Sequence, residues 1–150
     1  MLDDDGVVVW ESMAINLYLG DRYGGPLWPQ TPTGRARVYQ WSLWSQTEID
    51  RQDWNRARRL GDEQQVQADR QSLIRALGVL DAELAKRPYL LGETFCMADV
   101  NVATTLSQPN ELGLIGWQKV NAGAAGLPNL ADWLRRCTAR PSYDVIRQAP

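Results

Sequence analysis

Histidine does not occur anywhere in the 150 residues. Its absence removes Ser-His and Cys-His catalysis and leaves any zinc site without its commonest nitrogen ligand, so no metal centre is expected. Cysteine is nearly as scarce. Cys96 and Cys137 are the only two, far apart and in no CxxC pair. Nothing therefore points to a disulfide framework, and a reducing cytoplasm is the expected compartment. The opening segment, MLDDDGVVVW, is too acidic and too poor in apolar residues for a secretory signal. No apolar run approaches membrane-spanning length, so a membrane partner is not expected. Basic charge is not in excess either: the formal net charge is −2. Arg56, Arg58 and Arg59 cluster, but Asp50, Asp53, Asp62 and Glu63 flank them, which reads as a solvated helix face and not a nucleic-acid contact.

What is present is core material. At 44% hydrophobic, a chain of 150 residues can bury a single substantial core. Val7 to Trp10 is a short β-branched run after the turn Asp3-Asp4-Asp5-Gly6, and it reads as the only strand. A lone strand leaves its backbone groups unpaired, so its sheet partners are expected outside this segment. A helix from Ser12 to Tyr23 follows, with Ser12 as N-cap and Ala14, Ile15, Tyr18 and Leu19 as its apolar stripe. Gly24-Gly25-Pro26 stops it, and a loop rich in Pro, Gly and Thr has the composition of an interdomain linker. Periodicity then predicts helices over Thr33–Leu60 and from Gly61-Asp62 to before Pro88. In the second, Val66, Leu73, Leu77, Leu80 and Leu84 share one face, and the two helices are expected to pair antiparallel. Further helices are expected from near Cys96, from Asn129 to Ala139 and after Pro141, with an irregular Gly-rich segment over Gly113–Gly126.

Two stretches carry chemistry. In Val8-Val9-Trp10-Glu11-Ser12-Met13-Ala14-Ile15 a strand delivers Glu11 and Ser12 to a helix start, where free N–H groups and the dipole favour an anion. Ser12 could hold a carboxylate while Glu11 accepts from an ammonium, which together suit the amino-acid end of a small peptide. A plain N-cap with a first-turn acid is the commoner use of such residues, and spacing alone leaves both open. In Phe95-Cys96-Met97-Ala98-Asp99-Val100, the Asp99 carboxylate can reach the Cys96 N–H, and Phe95 and Val100 stand where a hydrophobic staple closes over the turn. A thiol is a weak acceptor, so Cys96 makes a cap poorer by about 1 kcal/mol than a hydroxyl would. A reactive Cys96 at a helix start is conceivable, but its apolar neighbours favour a buried, inert thiol.

The ES-x-AI-x-x-YL pattern of Glu11 to Leu19 resembles the glutathione transferase family, where it ends the thioredoxin-like domain. Asp21-Arg22-Tyr23, Leu90 to Val100 and Arg140-Pro141-Ser142-Tyr143 are similar to later segments of that family, in the same order. The resemblance implies an all-α fold: a transferase-type C-terminal helical bundle over 33–150, a linker over 26–32 and the end of a glutathione-binding domain over 1–25. It also implies that Glu11 and Ser12 grip the γ-glutamyl part of glutathione, and that Trp44, Ser45 and Glu48 could line an apolar electrophile pocket. Trp41, Trp54 and Trp133 read as core or dimer packing. Glutathione enters as a substrate, with no cofactor. The family activates the glutathione thiol with a Tyr, Ser or Cys near the chain start and fixes the cysteinyl backbone with a cis-Pro. The first ten residues hold none of these, so the expectation is a transferase-like chain without its front half and without thiol activation. A non-catalytic dimerising scaffold, a hydrophobic-ligand module, or a half-enzyme completed by a second chain are the alternatives. Homo-oligomerisation, or else a disordered N-terminal segment, is expected, because an unpaired strand and the apolar face of Ile15, Tyr18 and Leu19 invite self-association.

Overall fold

The computed structural model describes residues 1–49, 60–107 and 126–143. At its start, strands β1 (Leu2–Asp4) and β2 (Val7–Val9) pair antiparallel, with Leu2 opposite Val9 and Asp4 opposite Val7. Asp5 (φ 52°) and Gly6 (φ 87°) both lie in the left-handed region. That is what a two-residue turn needs to match the twist of its strands. The expectation of a lone strand with distant partners is therefore corrected: the partner is the aspartate-rich segment itself. Only Asp5-Gly6 turns. Asp4 instead serves as a pin, accepting from Tyr18 Oη at 2.7 Å and Tyr23 Oη at 2.8 Å and pairing with Arg22 Nε at 3.0 Å. These two phenol donors and the adjacent guanidinium hold its carboxyl below the ordinary 3.8.

Helix α1 (Ser12–Tyr23) runs back along the hairpin. Its buried Gly20 faces Trp28, whose ring would lie 2.6 Å from a Cβ at that position. A 3-10 turn (Gly25–Leu27) leads to α2 (Pro32–Trp44), with Pro32 pre-set for the first turn and Thr31 Oγ1 accepting from Gly34 N at 3.1 Å. The helix expected over Thr33–Leu60 is thus α2 followed by a π-helical turn, Ser45–Ile49; residues 50–59 lie outside the described residues. Helix α3 (Glu63–Leu84) is capped by Asp62, and its Leu73, Leu77, Leu80 and Leu84 are buried while Val66 is half-buried. Helices α4 (Met97–Ser107) and α5 (Pro128–Thr138) follow, and residues 141–143 open another helical turn. The expected Gly-rich irregular segment falls outside the described residues as far as 125.

The expected antiparallel pairing of the Thr33–Leu60 helix with α3 falls in part on residues 50–59, outside the described residues. Among the described residues helix α2 packs chiefly on α4, and α3 chiefly on α5; α3 reaches α2 mainly through the π turn. An apolar stripe dictates that a helix buries a face but not which neighbour covers it. Helix α4 takes the centre because it is inward on nearly every side: Ala98, Asp99, Asn101 and Val102 have no exposed surface. Helix α5 adds the buried Leu130, Trp133 and Leu134. Its N-terminal residue Leu127 supplies no side-chain cap. Asp81 of α3 does so from 49 positions away, accepting from Leu130 N at 2.9 Å and Asn129 Nδ2 at 3.0 Å.

Candidate functional site

The start of α1 differs from expectation in one respect. Ser12 is the first helical residue, and the N-cap position belongs to Glu11, at φ 74° and ψ 122°. That backbone conformation is costly for a residue with a Cβ, by about 1–3 kcal/mol, and such residues concentrate at ligand sites. The carbonyl of Glu11 accepts from Ile15 N at 2.9 Å, but no side chain caps the first N–H groups. The side chains of Glu11 and Ser12 are exposed and hydrogen-bond to no described residue. One acceptor carboxylate, one hydroxyl and a set of outward N–H donors therefore share a helix N-terminus, open to a ligand with both an ammonium and a carboxylate.

The second predicted group lies at the end of α2. Trp44 is half-buried and packs edge-on against Trp41, ring centroids 5.3 Å apart. Glu48 is half-buried in the π turn. Ser45 is different: it has no exposed surface, and its hydroxyl donates to Ser42 O at 2.8 Å. Of the three expected wall residues, only Trp44 and Glu48 present surface here. No described hydrogen bond or ring contact joins this wall directly to Glu11 or Ser12. A cleft of about 370 Å³ opens elsewhere, between the linker, the start of α2 and the loop before α4, with Pro29, Thr31, Arg37, Thr94 and Cys96 on its walls.

At the start of α4 the Asp99 carboxylate gathers four donors. Oδ1 accepts from Leu90 N at 2.9 Å and Trp133 Nε1 at 2.8 Å; Oδ2 accepts from Cys96 N at 3.0 Å and Cys96 Sγ at 3.4 Å. Burial pushes this carboxyl up, and the hydrogen bonds from Leu90, Trp133 and Cys96 pull it back. The Cys96 thiol donates here, while the backbone N–H groups of Ala98 and Asp99 face its sulfur and favour the thiolate. Burial first and the neighbouring Asp99 second push it to about 12. Cys137 is raised by burial too. Both thiols are free, buried and far from the thiolate form that reacts at neutral pH.

Residues 48–141 match the description "Glutathione S-transferase, C-terminal domain". This chain belongs to the glutathione S-transferase family. It is 27% identical over 158 aligned positions to glutathione S-transferase GstB of Escherichia coli strain K12, covering 99% of this chain and 71% of that protein. It is 30% identical to elongation factor 1-gamma of Equus caballus over 95% of this chain, but only 32% of that protein. A glutathione transferase structure from Burkholderia graminis, with two glutathione molecules bound per subunit, superposes with a TM-score of 0.79 at 25% identity. That match covers 97% of this chain and 63% of the other. The chain therefore spans less than two thirds of some of these relatives and somewhat more of others.

The family match takes in Glu48, Cys96 and Asp99 and leaves Glu11, Ser12, Trp44 and Ser45 outside it. Sequence reasoning missed the partners of Asp99, above all Trp133. It also missed three polar residues that meet inside the transferase-type bundle: Asn16, Ser42 and Asn101. The signal for Asn101 was available, since it is the one amide in the apolar run of α4.

Proposed function

We propose that these residues form the helical, electrophile-side domain of a glutathione transferase together with the γ-glutamyl end of its glutathione site. The observation that carries the reading is the pair Glu11 and Ser12: exposed, without a hydrogen-bond partner among the described residues, and set at a helix start whose N–H groups have no side-chain cap. Ser12 and the N–H groups would take the γ-glutamyl carboxylate, and Glu11 its ammonium. Trp44 and Glu48 would border a small hydrophobic electrophile. Lowering the pKa of the glutathione thiol is a separate task, and the first ten residues contain no Tyr, Ser or Cys to do it. On this reading the 150 residues bind glutathione without conjugating it, until a thiol-activating side chain is supplied in the same or another chain. The reading places the chain in a reducing cytoplasm; among the described residues no helix is long and apolar enough to cross a membrane.

Calorimetric titration with glutathione tests the binding, beside a conjugation assay with 1-chloro-2,4-dinitrobenzene. Saturable binding that Ser12→Ala weakens, with no turnover above the uncatalysed rate, is the expected result. No binding would overturn the site, and clear turnover would overturn the division of labour.

A second reading, a non-catalytic self-associating scaffold, draws on the likeness to elongation factor 1-gamma. It also draws on the exposed Val7, Val8, Trp10 and Leu43. Sedimentation over a concentration series separates the readings: self-association without glutathione binding favours the scaffold.

A further inference from the structure

Three polar side chains from three helices meet inside the bundle. Asn16 Nδ2 donates to Asn101 Oδ1 at 2.9 Å, and Asn101 Nδ2 donates to Ser42 Oγ at 2.8 Å. Asn101 and Ser42 have no exposed surface, and Asn16 is half-buried. The chain of bonds continues past Ser42, because Ser42 O accepts from Ser45 Oγ at 2.8 Å where α2 gives way to the π turn. A buried amide is expensive unless its donor and acceptor sides are both used. Here each side is used by a different helix, so the amide of α4 fixes the rotation and height of α1 against α2 at once. Apolar packing alone would tolerate small slips of one helix over another; a directional hydrogen bond of 2.8 or 2.9 Å does not.

What hangs on each end gives the network its meaning. Asn16 stands one helical turn after Ser12, on the same face of α1. Ser42 and Ser45 bracket Trp44, and the π turn that follows holds Glu48. Insertions of this type widen a helix locally and are frequent at functional sites. The Ser45 hydroxyl bonded to Ser42 O gives this one a fixed starting point. No described hydrogen bond or ring contact joins the two candidate ligand groups, yet both are tied to one buried side chain.

We propose that Asn101 is a positioning residue: its side chain holds the Glu11–Ser12 corner of α1 in register with the Trp44–Glu48 wall of α2. A ligand that spans both is then recognised as one unit. The ligand assignment rests on the function proposed above; the mechanical link does not.

The test has two arms, both on the full chain. In the first, hydrogen exchange is followed at the amides of residues 15–20 in Ser42→Ala and Asn101→Ala, with Leu106→Ala as a control that destabilises the core away from the network. Selective loosening of α1 in the two network variants and not in the control is expected; uniform loosening in all three overturns the link. Ser42→Ala removes a single hydroxyl and keeps this arm decisive should Asn101→Ala fail to fold. The second arm compares glutathione with S-hexylglutathione, which adds an apolar chain on the sulfur. The affinity gained from that chain is expected to fall by about fivefold in Ser42→Ala, while glutathione affinity itself changes little, the size expected of a modest coupling between sites. A change in stability with an unaltered ratio would overturn the positioning role. Should the unsubstituted chain bind neither probe, the proposed function fails, and the exchange arm still decides the link.

Discussion

Trp133 Nε1 donates to Asp99 Oδ1 at 2.8 Å, and neither side chain has any exposed surface. The same oxygen accepts from Leu90 N, so one atom ties α4 to α5 and to the loop before α4. Removing the carboxylate would strand three buried N–H donors at once. Asp99→Ala is expected to cost at least about 3 kcal/mol, and Asp99→Asn about 2 kcal/mol because its amide must turn a donor toward another donor. Urea unfolding checks both, with Asn expected between Ala and the unsubstituted protein.

Cys96 offers the opposite change. Its thiol donates to Asp99 Oδ2 at 3.4 Å, where a hydroxyl would make a shorter and stronger bond. Cys96→Ser is expected to stabilise by about 0.5–1 kcal/mol, read as a higher melting temperature. In the unsubstituted protein a thiol raised to about 12 should resist a disulfide reagent at pH 8 and react on addition of denaturant.

Gly20 marks a tight contact between α1 and the linker. A methyl group there would meet the Trp28 ring at 2.6 Å and approach Met97 at 3.2 Å. Helix propensity alone would favour alanine by about 1 kcal/mol. The clash should prevail, and Gly20→Ala is expected to destabilise by about 1–3 kcal/mol in denaturant melts.

The hairpin pin should respond to pH at both ends. Asp4 lies below its ordinary 3.8 in the folded chain, so its contribution is present above that value and is lost as pH falls through 3.8 and then through the folded value. Tyr18 lies above its ordinary 10.0, so its share is present below pH 10 and is lost as pH rises through the folded value. Amide exchange over residues 2–9 should accelerate in both limits. Asp4→Asn should remove the acid branch.

Glu11 holds a positive φ of 74° that glycine adopts without strain. Glu11→Gly is expected to raise stability by about 0.5–1 kcal/mol while weakening glutathione binding. Calorimetry and thermal melts on the same sample would show the two effects moving apart. A loss of stability would mean that Glu11 is not strained in the folded chain.

The helices were legible because their apolar spacing and stop signals are local. Ser12–Tyr23 and the Leu73–Leu84 stripe needed nothing beyond the residues in them, and the order of motifs named the family. What escaped was set at a distance. The β1 strand was hidden by three aspartates, one of which is held by Tyr18 and Tyr23, residues 14 and 19 positions away. That α4 takes the centre was not read from the sequence either, because an apolar stripe carries no address. Ser45 was placed on a pocket wall since it follows Trp44, whereas it continues the inward face of Val38 and Ser42 at three- and four-residue steps. Asn101 could have been noticed as an amide in an apolar helix, but not its two partners, 85 and 59 positions away.

The acceptor that starts α5 is made long before α5 itself. As the chain leaves the ribosome, Asp81 appears on α3 some fifty residues ahead of Leu130, and a half-buried carboxylate can wait in water at little cost. The last long helix therefore finds its anchor already in place when it emerges. Its N-terminus has no local substitute, so α5 should become ordered only after α3 has done so.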